Sequence, residues 1–420
     1  MFAHFNGSPG SPTHVRTAIG STPSPTFDST DGYTPADLQS AYNVVSSAAT
    51  LGDGQTVAIV IADDYAAAAS DLAVYRSQFG LGPVPNFQRY NQVGVAGSYP
   101  TPLPGAGWKT EAALDMDMVS AICPKCGIAL VEANSNNFHD LDAAEAAAAN
   151  LPNVGVISNS FAGGEIEYLN SHGGSYADAS FGRTDRIYVA GAGDSCEERS
   201  CWYTGPGASG TGVCPASPGD FPGGCGGPPD TPTPSPYPVP TSPPWPASES
   251  NVVAVGGTSL VRGGGSRGWT ETAWAASGSA CSRVVAKPVW QRDFGCRNRA
   301  VADVAAVADP ANGVAVYSSA LPFDYPPGWI MEGGTSVATP IVAAIYALAG
   351  HATTLHAARS LYTNASQLND ISGGNNGCSF YLCIGGPGYD GPTGVGSPNG
   401  IGAFSSETAT SGARDIAIGG

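Results

Sequence analysis

The chain reads as an α/β protein: a doubly wound, mostly parallel central sheet with helices on both faces and long, disulfide-braced loops. Short apolar runs recur without polar alternation, the pattern of strands covered on both sides. Segments with helical spacing separate these runs, which gives the order β-α-β-α-β. Gly (57) and Pro (35) are abundant while charged residues make up only 12%, as expected for a compact centre with extended ordered loops.

Residues 1–31 are rich in Ser, Pro, Thr and Gly and are expected to form a flexible tail or linker. Order is expected to begin at Tyr33-Thr34-Pro35, where Thr34 can cap a helix that has Pro35 in its first turn. One large domain then runs over 32–405. It holds a strand at Thr56–Ala62, a helix at Ala66–Gln78, a helix at Thr110–Ile122 and a strand at Ile128–Glu132. A helix at Leu141–Asn150, strands at Val154–Asn159 and Ile187–Ala192, and a late helix at Thr335–Ala349 follow. Residues 196–247 are a Cys-, Gly- and Pro-rich insertion, expected to run as extended polyproline II over the surface. Residues 406–420 read as a tail.

The net charge is −17, from 34 acidic and 17 basic side chains. Nucleic acid and anionic membranes need clustered Lys and Arg, so neither is an expected partner. No apolar stretch is long enough to span a bilayer. With 17 Lys and Arg and 6 His, positive charge in acid has a low ceiling, so acid produces little self-repulsion. Ten cysteines fall into neighbouring pairs: Cys123 with Cys126, Cys196 with Cys201, Cys214 with Cys225, Cys281 with Cys296, and Cys378 with Cys383. Local disulfides in an oxidising compartment are the simplest reading. Closing the Cys281–Cys296 loop would stabilise by about 3 kcal/mol in the chain-entropy view. A redox role for Cys123-Pro-Lys-Cys126 is disfavoured, because the helix precedes the first cysteine and so presents its wrong end.

The run Gly333-Gly334-Thr335-Ser336-Val337-Ala338-Thr339-Pro340 opens an apolar helix. A serine there meets the unpaired N–H groups and positive dipole end of the helix, which stabilise negative charge. The same pattern also serves as a plain N-cap. A serine nucleophile needs a base, and the histidines are poorly placed to supply one. His4 and His14 lie in the tail, His351 and His356 follow the serine, and His139 and His172 lack the context of an early catalytic helix. That helix instead carries Glu111-Ala-Ala-Leu-Asp115. Carboxylates four residues apart share a face, which is often a solvated one. Ala112, Ala113, Leu114 and Met116 argue for burial of this turn, where two acids would share a proton and one would act as a base in mild acid. Gly193-Asp194-Ser195 follows a sheet strand at its C-terminal end. Asp194 can cap that loop, or, when protonated, donate to an oxyanion.

These separated motifs, in this order, resemble the sedolisins, the serine-carboxyl peptidases. YTPADLQSAYNV, EAALD, GAGDS, PASESNVVAVGGTSL and GGTSVATP carry the resemblance over roughly residues 31–405. The resemblance implies a subtilisin-like fold, with Ser336 as nucleophile and Glu111 as its general base. It makes Asp115 the residue that orients Glu111 and holds the shared proton, and Asp194 the oxyanion donor. It also implies one structural calcium ion held by Asp370 and Asp390 side chains and by carbonyls of Ile371, Gly386 and Gly388, with Cys378–Cys383 bracing the loop. Oxygen donors of this kind suit a hard cation, although a Gly-rich turn with two solvated acids has the same sequence.

The expected protein is therefore a secreted, monomeric, acid-acting endopeptidase whose partners are polypeptide substrates. A tripeptidyl-type exopeptidase and a non-catalytic extracellular binding domain are the alternatives. Neither a signal peptide nor the long pro-segment of the family is visible in the chain.

Overall fold

The computed structural model describes residues 11–12, 14–16, 24–28, 32–102, 107–174, 178–194, 243–321, 326–350, 357–377 and 382–405. Helix α1 (Pro35–Ala41) starts where expected. The Thr34 hydroxyl accepts from the Asp37 N–H, and the Asp37 carboxylate accepts from the Thr34 N–H, with Pro35 in the first turn. The layers that follow are β1 (Thr56–Ala62), α2 (Ala68–Gln78), β2 (Phe87–Asn91), α3 (Gly107–Ile122) and β3 (Gly127–Ala133). Next come α4 (Phe138–Asn150), β4 (Val154–Asn159), β5 (Phe161–Gly164), α5 (Glu165–Ser171) and β6 (Ile187–Gly191). The chain continues through β7 (Val252–Arg262), β8 (Trp269–Ala273), β9 (Val304–Val307), β10 (Val314–Ser318), β11 (Gly328–Gly334) and α6 (Thr335–Ala349).

Eight strands form the main sheet in the order β8-β7-β6-β4-β1-β3-β2, with β9 also paired to β7. All pairs are parallel except β7 with β8. Every residue of β1, β3 and β4 is buried, as the unbroken apolar runs require. Val57, Ile59, Val60 and Ile61 have no exposure, and each contributes about 1.5–3 kcal/mol by leaving water. Helix α4 packs on β1, β3 and β4, whereas α6 lies against β4, β6 and β9 and against α3. The α3–α6 contact brings two sequence-distant motifs together, and it positions the site. No helix among the described residues is long and apolar enough to cross a membrane.

Strand β2 was not expected. Its sequence, FQRYN, has no apolar run, and its residues are half-buried at the sheet edge. The stretch expected as a flexible tail also needs correction. Ser11–Pro12 pairs with β5 and His14–Arg16 pairs with β11, in both cases antiparallel. Ser24 bridges to Trp329, and Phe27 stacks edge-on against Phe79 and Trp329 at 5.0 and 5.3 Å. Backbone pairing needs no side-chain pattern, so a Ser/Pro-rich composition hides it. The end of the insertion also differs from a surface polyproline run. Pro244–Trp245 pairs with Gly163–Gly164 of β5, and Trp245 is fully buried, stacked on Tyr168 at 4.2 Å. The rest of the insertion, with Cys196, Cys201, Cys214 and Cys225, lies outside the described residues, as does the tail 406–420.

The Cys123–Cys126 and Cys281–Cys296 disulfides form as expected. Cys383 is disulfide-bonded, and Cys378 lies outside the described residues.

Candidate active site

Strand β11 passes into helix α6 without a loop, and Ser336 is the second residue of the helix. That switch needs its glycines. Gly334 sits at φ 104°, and a Cβ on Gly333 would lie 2.5 Å from the Pro310 nitrogen and 2.6 Å from the Ala308 oxygen. No side chain of the N-cap residue, Gly334, closes the end of α6. Asp194, just beyond β6, does so from a distance. Its Oδ1 accepts from the Thr335 N–H at 2.7 Å and from the Thr335 hydroxyl at 2.9 Å. The Thr335 hydroxyl in turn accepts from the Gly193 N–H at 3.2 Å. With Oδ1 occupied as an acceptor, a proton on Asp194 belongs on Oδ2.

Glu111 and Asp115 lie one turn apart on α3, both fully buried. Burial pushes the Glu111 carboxyl well above the ordinary range, and a hydrogen-bonding contact with the Ser336 side chain pulls it part of the way back. Asp115 is raised by burial first and by the charge of Glu111 second, while a hydrogen bond from Ser160 opposes the rise. Two adjacent acids in a dry site titrate as a unit and retain a proton between them. Asp117, two residues further along α3, points elsewhere and accepts from the Tyr317 N–H at 3.0 Å. His172 bonds Asp142 at 2.9 Å and stacks on Tyr168, and the His139 ring lies 4.4 Å from it. This histidine cluster is built on α4 and α5.

The site therefore brings Ser336 beside Glu111, pairs Glu111 with Asp115, and anchors Asp194 to Thr335, the residue before Ser336. Sequence reading passed over two polar residues here. Thr335 stands out in the sequence only as part of the run 333–340. Ser160, buried at the end of β4, donates to Asp115 Oδ1 at 2.6 Å and lies 3.3 Å from the Ser336 carbonyl oxygen. A serine at the C-terminal end of a parallel strand was the signal available for it.

The expected calcium ligands share one loop region. Asp370 Oδ1 accepts from the Gly388 N–H at 2.9 Å, and Asp390 Oδ2 accepts from the Gly386 N–H at 3.0 Å. Burial pushes the Asp390 carboxyl up to about 6; Thr393 and Gly386 oppose this and the charge of Asp370 adds to it. Among the described residues, no hydrogen bond reaches the carbonyl oxygens of Ile371, Gly386 or Gly388. Two mutually repelling carboxylates beside uncommitted carbonyls fit a hard divalent cation. No group of three or more His, Cys, Asp or Glu suited to a metal occurs among the described residues, so a cation bound here would need carbonyl oxygens to complete its shell.

No family model matches the chain. Sedolisin from Pseudomonas sp. (strain 101) is 32% identical over 173 residues, covering 36% of this chain and 28% of that protein. Kumamolisin from Bacillus sp. (strain MN-32) is 28% identical over 392 residues, covering 88% of this chain and 62% of the relative. The chain thus spans less than two thirds of the length of either relative. Among solved structures, Pseudomonas sedolisin (serine-carboxyl proteinase), complexed with two molecules of pseudo-iodotyrostatin, matches with a TM-score of 0.65 at 23% identity. The match covers 88% of this chain and 95% of that one, and it shows a shared fold.

Proposed function

We propose, from the premise that the chain belongs to the sedolisin family and has its subtilisin-like fold, that it is an acid-acting serine-carboxyl endopeptidase. The observation that carries this reading is the buried contact of Ser336 with Glu111 at the start of α6. Ser336 Oγ attacks the substrate carbonyl carbon, and its proton passes to Glu111. The developing oxyanion is held by the Asp194 O–H and by N–H groups at the start of α6. When the tetrahedral species collapses, the C–N bond breaks and Glu111 returns the proton to the departing amine. Water then attacks the acyl-enzyme, again giving its proton to Glu111, and the acid product leaves as Ser336 regains its hydrogen. Asp115 holds the proton that keeps the carboxyl pair from carrying two charges.

Endopeptidase action is supported by the strand edges beside the site. Pro12 lies opposite Phe161, next to Ser160, and His14 lies opposite Gly334, two residues before Ser336. Residues 11–12 and 14–16 thus run antiparallel along β5 and β11 in one pass, and an extended polypeptide substrate would take their place. A calcium ion held by Asp370, Asp390 and the carbonyls of Ile371, Gly386 and Gly388 would neutralise the repelling acids and fix the loop. Secretion agrees with the disulfides at Cys123–Cys126 and Cys281–Cys296.

The test is a peptide aldehyde carrying 13C at its carbonyl, followed by NMR. A hemiacetal signal in mild acid that is lost in Ser336→Ala is expected. No hemiacetal at any pH would favour a binding domain. Faster cleavage of free than of N-terminally blocked peptides would favour the exopeptidase.

A further inference from the structure

We propose that Ser160 is a positioning residue of the carboxyl pair, selecting the oxygen of Asp115 that carries the shared proton. The inference rests on the peptidase reading above. Ser160 stands between β4 and β5 and is 1% exposed, so its hydroxyl has no water to satisfy it. Its proton goes to Asp115 Oδ1 at 2.6 Å, which commits that oxygen as an acceptor. Asp115 Oδ2 is buried and meets no hydrogen-bond partner among the described residues. A buried carboxyl oxygen without a donor is costly when charged and is relieved by its own proton. Oδ2 is therefore the oxygen of Asp115 that carries the pair's proton. The Ser160 oxygen also lies 3.3 Å from the Ser336 carbonyl oxygen, so the hydroxyl that serves the pair sits against the nucleophile's own turn.

Other charged groups around α3 leave this arrangement alone. Asp71 and Arg76 of α2, and the Tyr317 N–H of β10, act on Asp117. Asp37 of α1 pairs with Arg262, Asp63 beyond β1 with Lys109, and Glu132 of β3 with Arg89. Tyr346 of α6 bonds the Ala357 carbonyl. Glu111 is the charge that raises Asp115.

A donor to Asp115 favours the ionised pair, so its removal raises the pH at which the pair first loses a proton. Ser160→Ala is expected to lower kcat by about ten- to a hundredfold. It should also move the acid limb of the kcat/KM profile up by about one pH unit, leaving the alkaline limb in place. Ser160→Thr, which keeps the hydroxyl, should restore the limb. Should the alanine variant fail to fold, Ser160→Gly removes the same hydroxyl with nothing new to pack, and the same shift is expected. A lowered rate with both limbs unmoved would make Ser160 merely structural and overturn the proposal, as would an unchanged profile. Absence of any Ser336-dependent hydrolysis in the wild type would instead sink the peptidase reading itself.

Discussion

Glu145 sits in α4 with no exposure, and burial raises its carboxyl well above the ordinary range. The Asn159 amide offsets part of this, and the charge of Asp142 adds to it. In the folded protein the acid keeps a proton that the unfolded chain releases above about pH 4.3. Stability linked to this group is complete below that pH and is lost as pH rises toward the folded value, at about 1.4 kcal/mol per unit. Glu145→Gln removes the linkage and retains the oxygen that accepts from Asn159 Nδ2 at 3.3 Å. Urea unfolding from about pH 3.5 to 6.5, in a Ser336→Ala background to prevent self-digestion, measures the difference. The Gln variant should gain on the wild type as pH rises across that range, at no more than about 1.4 kcal/mol per unit. A difference that stays constant with pH would refute the reasoning.

Asp194→Asn keeps an acceptor for Thr335 and donates at every pH. Its peptide hydrolysis should persist where the wild type falls off toward neutrality, and an identical alkaline limb in both proteins would count against the oxyanion role. Gly333→Ala drives a Cβ to 2.5 Å from the Pro310 backbone, so the purified variant should be inactive or unfolded by circular dichroism, while wild-type activity would contradict that packing. Calcium at a hundredfold excess over its Kd should stabilise the fold by about 2.7 kcal/mol in calorimetry. Asp390→Asn should abolish most of that gain, and an equal gain in both proteins would place the ion elsewhere.

The parts of the fold legible in the sequence were those whose side chains carry the signal. The apolar runs of β1 and α6 are buried over almost their whole length. Glu111 and Asp115 were visible because helical spacing alone puts them on one face. What escaped depends on backbone pairing or on contacts far apart in the chain. The pairing of 11–16 with β5 and β11 leaves no trace in composition. Trp245 was lost among prolines, although it is the largest fully buried side chain among the described residues. Ser160 reaches Asp115 across 45 positions, and Thr335 reaches Asp194 across 141, distances over which no local pattern operates.

The proposed role of two carboxyl groups in activating Ser336 is tested most directly by the pH dependence of hydrolysis of an unfolded protein, with wild type beside Ser336→Ala. A bell is expected, its acid limb above the ordinary carboxyl range of about 4 because both acids are raised by burial, and no hydrolysis by the variant at any pH. A maximum in alkali, or hydrolysis that survives loss of the hydroxyl, would contradict it.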